Sequence, residues 1–332
     1  MLNVLVVGGA GFIGSHMVKM LGRQACHVTT LDDLSSGHRD AVLCGDFVHG
    51  DMGDRAVLDA VLSRGFDAVM HFASFIQVGE SVQQPAMYYA NNVVKTLTLL
   101  DAMRAHGVKR FVFSSTAATF GEPLYTPINE LHPQQPINPY GRSKLMVEQV
   151  LADYARAYGL RSVSLRYFNA AGADPEGQLG ERHDPETHLI PLVLQVASGR
   201  RSHLQVFGRD YDTPDGSCAR DYVHVEDLCS AHGLALQALM ADSGAACQAY
   251  NLGSGHGFSV QEVIETAQRV TGRPIAVLDC PRRQGDPARL VADPTLARQQ
   301  LGWQAQHSDL HTLIAHAWRW ETRHGLAPAA GL

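Results

Sequence analysis

Tyr140 and Lys144 stand four residues apart in Pro139-Tyr140-Gly141-Arg142-Ser143-Lys144, at the head of the helix-patterned run LMVEQVLADYARAY. Four residues is close to one helical turn, so the phenol and the ammonium share a face. A cation there favours the phenolate, and a tyrosine drawn below its ordinary pKa of about 10 can act as a general base near neutral pH. Ser114-Ser115-Thr116 close the preceding apolar run and add hydroxyls to the same chemistry. YxxxK alone is common by chance, and its weight here comes from what lies upstream.

Leu2 to Val7 is an apolar, β-branched run followed directly by Gly8-Gly9-Ala10-Gly11-Phe12-Ile13-Gly14 and then a helical pattern through Leu21. Strand, glycine turn and helix in that order let backbone N–H groups approach a pyrophosphate at a helix N-terminus. A second strand, His27 to Leu31, ends in Asp32, 18 residues past Gly14, where a carboxylate accepts hydrogen bonds from an adenosine ribose. Asp32 and Asp33 together would repel a 2′-phosphate, which favours NAD over NADP.

The elements that position these groups alternate. Phe66 to His71 and Arg110 to Ser114 read as buried strands, the first ending at Phe72-Ala73-Ser74, and the pattern between them from Ser81 to His106 reads as one long helix carrying Asn91-Asn92. Short apolar strands alternating with helices predict an α/β, Rossmann-type doubly wound parallel sheet whose ligands lie beyond the strand carboxyl ends. Asp51 after the third strand, and Asn92 on the helix, are expected on the adenine and nicotinamide sides.

Composition bounds the rest. The chain has 332 residues, 45% apolar and 18% charged, with 27 Lys+Arg against 33 Asp+Glu. That is a folded chain of about two domains, and its net charge of −6, without a long basic stretch, argues against nucleic acid as a partner. Six dispersed cysteines without a CxxC pair read as reduced thiols, and the opening apolar run is too short to span a membrane; a cytoplasmic protein is expected. Among 17 histidines the helical pair His307 and His311 lacks thiol or acidic partners, so no metal site is expected.

With GGAGFIGSH at 8–16, VGESV at 78–82, FSSTAATFG at 113–121 and NPYGRSKLMVEQ at 138–149, the chain resembles the extended short-chain dehydrogenase/reductases. LRYFNAAGA at 165–173, ARDYVHVEDL at 219–228, YNLGSG at 250–255 and PRRQGD at 281–286 narrow the resemblance to nucleotide-sugar epimerases that interconvert UDP-galactose and UDP-glucose. The resemblance implies Thr116, Tyr140 and Lys144 as the catalytic set. It implies an NAD site at Gly8, Gly11, Phe12, Ile13, Gly14, Asp32, Asp33, Asp51, Met52, Phe72, Ala73, Ser74, Asn92, Ser114, Tyr140, Lys144 and Tyr167. On the sugar-nucleotide side it implies Thr116, Tyr140, Asn169, His188, Leu189 and Phe207. Arg220 and Arg283 would meet the diphosphate, Asp286 the uridine ribose, and Leu290 the sugar. A homodimer through the helices at 82–106 and 140–158 is also implied.

Other reactions on this scaffold fit less well. Related dehydratases carry an Asp-Glu pair after the strand hydroxyl, whereas this chain has Ala117-Ala118; no carboxylate-binding site for a UDP-glucuronate decarboxylase is evident; and a non-catalytic NAD-binding protein would not need all three catalytic groups. Ile76, where some relatives have lysine, bears on NAD retention, and Phe120-Gly121 replaces a frequent Tyr-Gly. Leu290 and His188 leave UDP-N-acetylglucosamine as an alternative substrate. The NAD-binding part is expected to take residues 1–169 and 220–255, and the UDP-sugar lobe 170–219 and 256–332, with a frayed tail GLAPAAGL.

Overall fold

A computed structural model describes residues 1–24, 26–242, 244–283 and 286–324. The tail GLAPAAGL and two residues of PRRQGD, Gln284 and Gly285, lie outside the described residues.

The first six strands, β1 (Asn3–Val7), β2 (His27–Asp32), β3 (Asp46–His49), β4 (Ala68–His71), β5 (Arg110–Thr116) and β6 (Arg161–Tyr167), alternate with helices. Shorter strands follow: β7 (Asn169–Ala171), β8 (Leu204–Phe207), β9 (Ala219–Arg220) and β10 (Tyr222–His224). After β11 (Cys247–Leu252) come β12 (Phe258–Ser259), β13 (Val277–Cys280) and β14 (Arg289–Leu290). The main sheet is parallel and seven-stranded, in the order β11-β6-β5-β4-β1-β2-β3. The order reverses between β1 and β4, which opens a crevice at their carboxyl ends.

Strand residues alternate between two cores because successive side chains point to opposite faces. Val4 and Val6 pack on one face with helix α1 (Phe12–Arg23), whereas Leu5 and Val7 pack on the other with α2 (Arg55–Leu62). Burial of each such aliphatic side chain stabilises by about 1.5–3 kcal/mol, so a one-residue slip in β1 would exchange both sets and is strongly disfavoured.

The long helix expected at 81–106 is not continuous. It divides into α3 (Val78–Gln83), α4 (Pro85–Tyr89), a π-helical turn at Ala90–Val94, and α5 (Lys95–Ala105). Pro85 brings no N–H and pushes Gln84 out of helical geometry, to φ −127° and ψ 54°. The π turn re-aims Asn92 inward.

Helix α6 (Pro139–Tyr158) starts where Asn138 Oδ1 accepts from Gly141 N at 2.8 Å and Pro139 sets the first turn; it ends at left-handed Gly159. Helix α7 (Leu189–Ala197) follows, and then α8 (Val225–Met240), which covers the α1 face of the sheet. Helices α9 (Val260–Thr271), α10 (Thr295–Leu301) and α11 (Leu310–His324) complete the chain, and α7, α9 and α11 share a separate core around Val193, Val263 and Leu313. Among the described residues no helix is long and apolar enough to cross a membrane.

Candidate active site

The glycines of the first turn have three different reasons to be there. Gly8 has φ +81°, and a Cβ on it would meet Ala73 N at 2.4 Å. A Cβ on Gly14 would lie 2.1 Å from the Gly8 carbonyl oxygen, so its absence is what lets α1 close on the turn. Gly11 caps α1 and has only Gly8 O, at 3.5 Å, near its would-be Cβ. It is open towards the crevice, and no acidic side chain stands in the helix's first turn, so the amide end faces outward. Gly14→Ala is expected to lower stability by about 1–3 kcal/mol through overpacking, and Gly11→Ala by under about 1 kcal/mol. Urea unfolding of the two variants checks the difference; equal losses would contradict it.

Asp32 ends β2 at the crevice, its Oδ2 accepting from Ala10 N and its Oδ1 from Leu34 N, both at 2.9 Å. Burial pushes its carboxyl up, and these amide donors oppose the shift. Asp33 accepts from Ser35 N and Oγ.

Tyr140 reaches the crevice because α6 packs tightly on the turn after β5. A Cβ at Gly141 would stand 2.3 Å from Ala118 O, so this glycine, not singled out from sequence, allows the close approach. Thr116 and Tyr140 line the crevice together, the Thr116 Oγ1 accepting from Ala118 N at 3.1 Å. Burial pushes the Tyr140 phenol up to about 12, with the Thr116 side chain opposing. The lowering by Lys144 expected from the i,i+4 spacing is not seen. The Lys144 Nζ instead donates to Ser74 Oγ and Ser114 O, both at 2.8 Å, and lies 4.8 Å from the Phe113 ring centroid. Burial pulls Lys144 down to about 7, opposed by the charge of Glu148 one turn further on.

Behind these residues is a dense polar layer. His232 Nδ1 donates to Leu228 O at 2.8 Å, which makes Nε2 the acceptor for Ser114 Oγ at 2.9 Å. Asn92 accepts from Phe75 N and donates to Phe75 O and Ser143 Oγ. Glu148 accepts from Ser115 Oγ at 2.5 Å and from Arg166 Nη2 at 2.6 Å, and this ion pair is buried.

The crevice continues into a single cleft of about 1470 Å³. That exceeds the roughly 300–1,000 Å³ of a pocket for one drug-sized ligand. Gly8, Gly11, Phe12, Ile13, Gly14, Asp32, Asp33, Met52, Phe72, Ala73, Ser74, Thr116, Tyr140 and Tyr167 line it on the side of the main sheet. Asn169, His188, Leu189, Phe207, Arg220, Arg283, Asp286 and Leu290 line it further on. Four expected site residues are not in the lining. Ser114, Asn92 and Lys144 stand in the layer behind, and Asp51 is drawn away by Lys95 Nζ at 2.7 Å and by its own bond to Gly53 N.

Within the far half, Arg220 pairs with Asp286 and also donates to Ala219 O at 2.8 Å. The Arg283 guanidinium stacks over Phe207, 4.0 Å from the ring centroid. Asn169 Nδ2 donates to Asp221 O, and Leu290 pairs in register with Arg220. Ile76 and Gly121 also line the cleft, whereas Phe120 is fully buried against His132 and Arg166.

Sequence reasoning missed a cluster on the cleft wall. Glu181, His183, Glu186 and His188 converge from the segment that leads into α7. Burial opposes charge on His183, but Glu181 and Glu186 outweigh it and hold the imidazolium up to about 10. Their odd spacing follows neither helix nor strand periodicity, so no pattern in the sequence announces it.

Four other histidines are buried and neutral. Burial pulls His16 and His232 down to about 4, and His71 and His224 to about 3, from the ordinary 6.5. A depressed folded-state value means that stability is intact above pH about 6.5 and is lost as pH falls toward the folded value, since the unfolded chain then binds more protons. His232 alone contributes on the order of 3 kcal/mol across that window. Stability measured by urea unfolding is expected to fall steeply from pH 6.5 to 4.5, and His232→Gln to flatten that fall; an unchanged slope would contradict this assignment.

A family model described as the NAD dependent epimerase/dehydratase family matches residues 4–253. A UDP-glucose 4-epimerase of Halalkalibacterium halodurans is 52% identical over 324 residues, 97% of this chain and 96% of that one. The solved structure of a UDP-glucose 4-epimerase from Brucella ovis in complex with NAD superimposes with a TM-score of 0.94 at 53% identity, covering 96% of this chain and 98% of that one. That of a UDP-glucose 4-epimerase from Bifidobacterium longum in complex with NAD+ and UDP has a TM-score of 0.91 at 38% identity, covering 97% and 99%. Likeness this close over nearly the whole length leaves one assignment, and the chain belongs to the NAD dependent epimerase/dehydratase family.

Proposed function

We propose that the chain interconverts UDP-galactose and UDP-glucose, using bound NAD to oxidise and re-reduce the sugar at C4. The observation that carries this reading is that Thr116 and Tyr140 line one cleft together, with Ala117 and Ala118 directly after the hydroxyl. A phenol and a hydroxyl stand together where a sugar hydroxyl could exchange its proton, and Ala117 and Ala118 offer no acid to expel water.

The residues suit the cofactor. The open Gly11 corner, the amide end of α1 and the Asp32 carboxylate would hold a pyrophosphate and a ribose, and two adjacent carboxylates disfavour a 2′-phosphate. NAD when bound supplies a cationic, reversible hydride acceptor. Tyr140 takes the proton of the 4-hydroxyl and later returns it, and Thr116 holds the same oxygen in line. Lys144 fixes the floor through Ser74 and Ser114. Arg220 and Arg283 suit a diphosphate because guanidinium forks make paired, charge-assisted bonds to phosphate oxygens. Phe207 offers a face to uracil and Asp286 a carboxylate to ribose. With the diphosphate held, the 4-keto sugar can turn about its link to it and present the opposite face.

The NAD part is proposed to take residues 1–169 and 220–255, and the UDP-sugar lobe 170–219 and 256–332. A homodimer is proposed through the helical segments at 82–106 and 140–158, where Val82, Val94 and Met146 are exposed. Sedimentation velocity should give twice the 36.1 kDa chain mass; a monomer at micromolar concentration would refute it. Six free thiols support a cytoplasmic location.

The deciding experiment is a coupled assay for UDP-glucose on the purified chain given UDP-galactose. Turnover without net consumption of NAD is expected. No UDP-glucose formed, with NAD supplied, would overturn the reading.

A further inference from the structure

The cluster on the cleft wall has the composition of a metal site. One ligand atom from each of Glu181, His183, Glu186 and His188 lies within 4.8 Å of all the others. The two carboxylates are the most enclosed members, their side chains only 4% and 6% exposed. Both histidines turn Nδ1 towards the same oxygen, Glu181 Oε1, His183 at 3.0 Å and His188 closer still. Their rings stand 5.3 Å apart at 80°, so the two nitrogens approach one point from different directions. Glu186 Oε1 is fixed by Thr187 N at 2.7 Å and His188 N at 2.8 Å, and lies 3.8 Å from His183 Nδ1.

We propose that these four side chains form a binding site for one divalent transition cation of the zinc class. Two imidazole nitrogens and two carboxylate oxygens make the N/O set that Zn²⁺ takes in four-coordinate sites, with bonds of about 2.0–2.2 Å. Magnesium and calcium prefer all-oxygen shells, so the paired histidines select against them. Reaching tetrahedral spacing at those bond lengths takes shifts of about an ångström, the widest pairs closing and Glu181 Oε1 moving back from the two imidazole nitrogens to admit the ion. The backbone amides on Glu186 supply the outer-shell support that such ligands need. An entry path exists because His183, Glu186 and His188 all line the open cleft. Two buried carboxylates require two compensating positive charges, and a single divalent cation provides them without protonating either imidazole.

The site shares His188 with the expected sugar-nucleotide wall, but its occupancy does not depend on which sugar is turned over. The test is calorimetric titration of zinc chloride into the untagged, chelator-washed full chain with NAD, with cobalt(II) as a spectroscopic probe. One zinc per chain is expected, together with the visible absorption of tetrahedral cobalt and no thiolate charge-transfer band. His183→Gln and Glu186→Gln should each weaken binding about tenfold or more. Should one variant fail to fold by circular dichroism, the other carries the comparison. Absence of stoichiometric binding, a thiolate band, or undiminished affinity in the folded variants would overturn the proposal and leave these residues as an ion-pair cluster.

Discussion

Tyr140→Phe is expected to lower kcat about 10³-fold, within the roughly 10²–10⁴ that a positioned acid–base group contributes, while UDP binds nearly as before. The substitution removes one oxygen from a ring that is already buried and leaves α6, Asn138 and Gly141 untouched, so the cleft keeps its shape. Arg220 and Arg283, which are proposed to meet the diphosphate, line the far half of the cleft. Steady-state kinetics with UDP-galactose, and calorimetric titration of UDP, separate the two effects. Near-normal turnover would remove Tyr140 from the role of base; a parallel loss of UDP affinity would point to a collapsed cleft. Burial holds the phenol up to about 12, so the residues here do not by themselves generate a phenolate at neutral pH. Bound NAD would add positive charge beside this floor, which would favour the phenolate that Lys144 does not supply here.

The second large effect is structural. Glu148→Gln keeps the shape of the side chain but leaves the buried Arg166 guanidinium without its carboxylate, and is expected to cost about 3–5 kcal/mol. Glu148 binds Arg166 through both oxygens and also accepts from Ser115 and Gln134, so four donors lose a full charge together. Replacing both partners, Glu148→Leu with Arg166→Met, should recover most of that loss because no uncompensated charge remains. Urea unfolding of the three variants measures the cycle, and a single variant as stable as the parent would refute it. The same change removes the charge that opposes the depression of Lys144, so burial should pull its ammonium down further.

The legible parts of the molecule were those written locally. The turn at Gly8 to Gly14 and the carboxylate at Asp32 are fixed by short-range backbone demands, and each strand announces itself by apolar residues and turn signals. Partners distant in sequence were not legible. Asp51 reads as a ligand group until Lys95, on a helix 44 residues later, is found to take its carboxylate. Lys144 reads as the companion of Tyr140 because they share a helix face, but its rotamer instead reaches Ser74 and Ser114, the ends of two other chain segments. The break at Gln84 was signalled by Pro85, yet apolar periodicity runs across it and masks the interruption. Glu181 to His188 follows no regular period, and only the fold of an irregular segment brings its ligating atoms together.

The place of β11 at the edge of the main sheet also bears on how the protein is made. Its partner β6 ends at Tyr167, but β11 begins only at Cys247. During synthesis the nascent sheet must therefore wait, with the outer rim of β6 unpaired, while some eighty intervening residues emerge. An open strand rim is a template for pairing with other chains, and long-range closure of this kind is slow. Chains that terminate early, before Cys247, would keep that rim permanently, which makes them candidates for aggregation and for capture by chaperones.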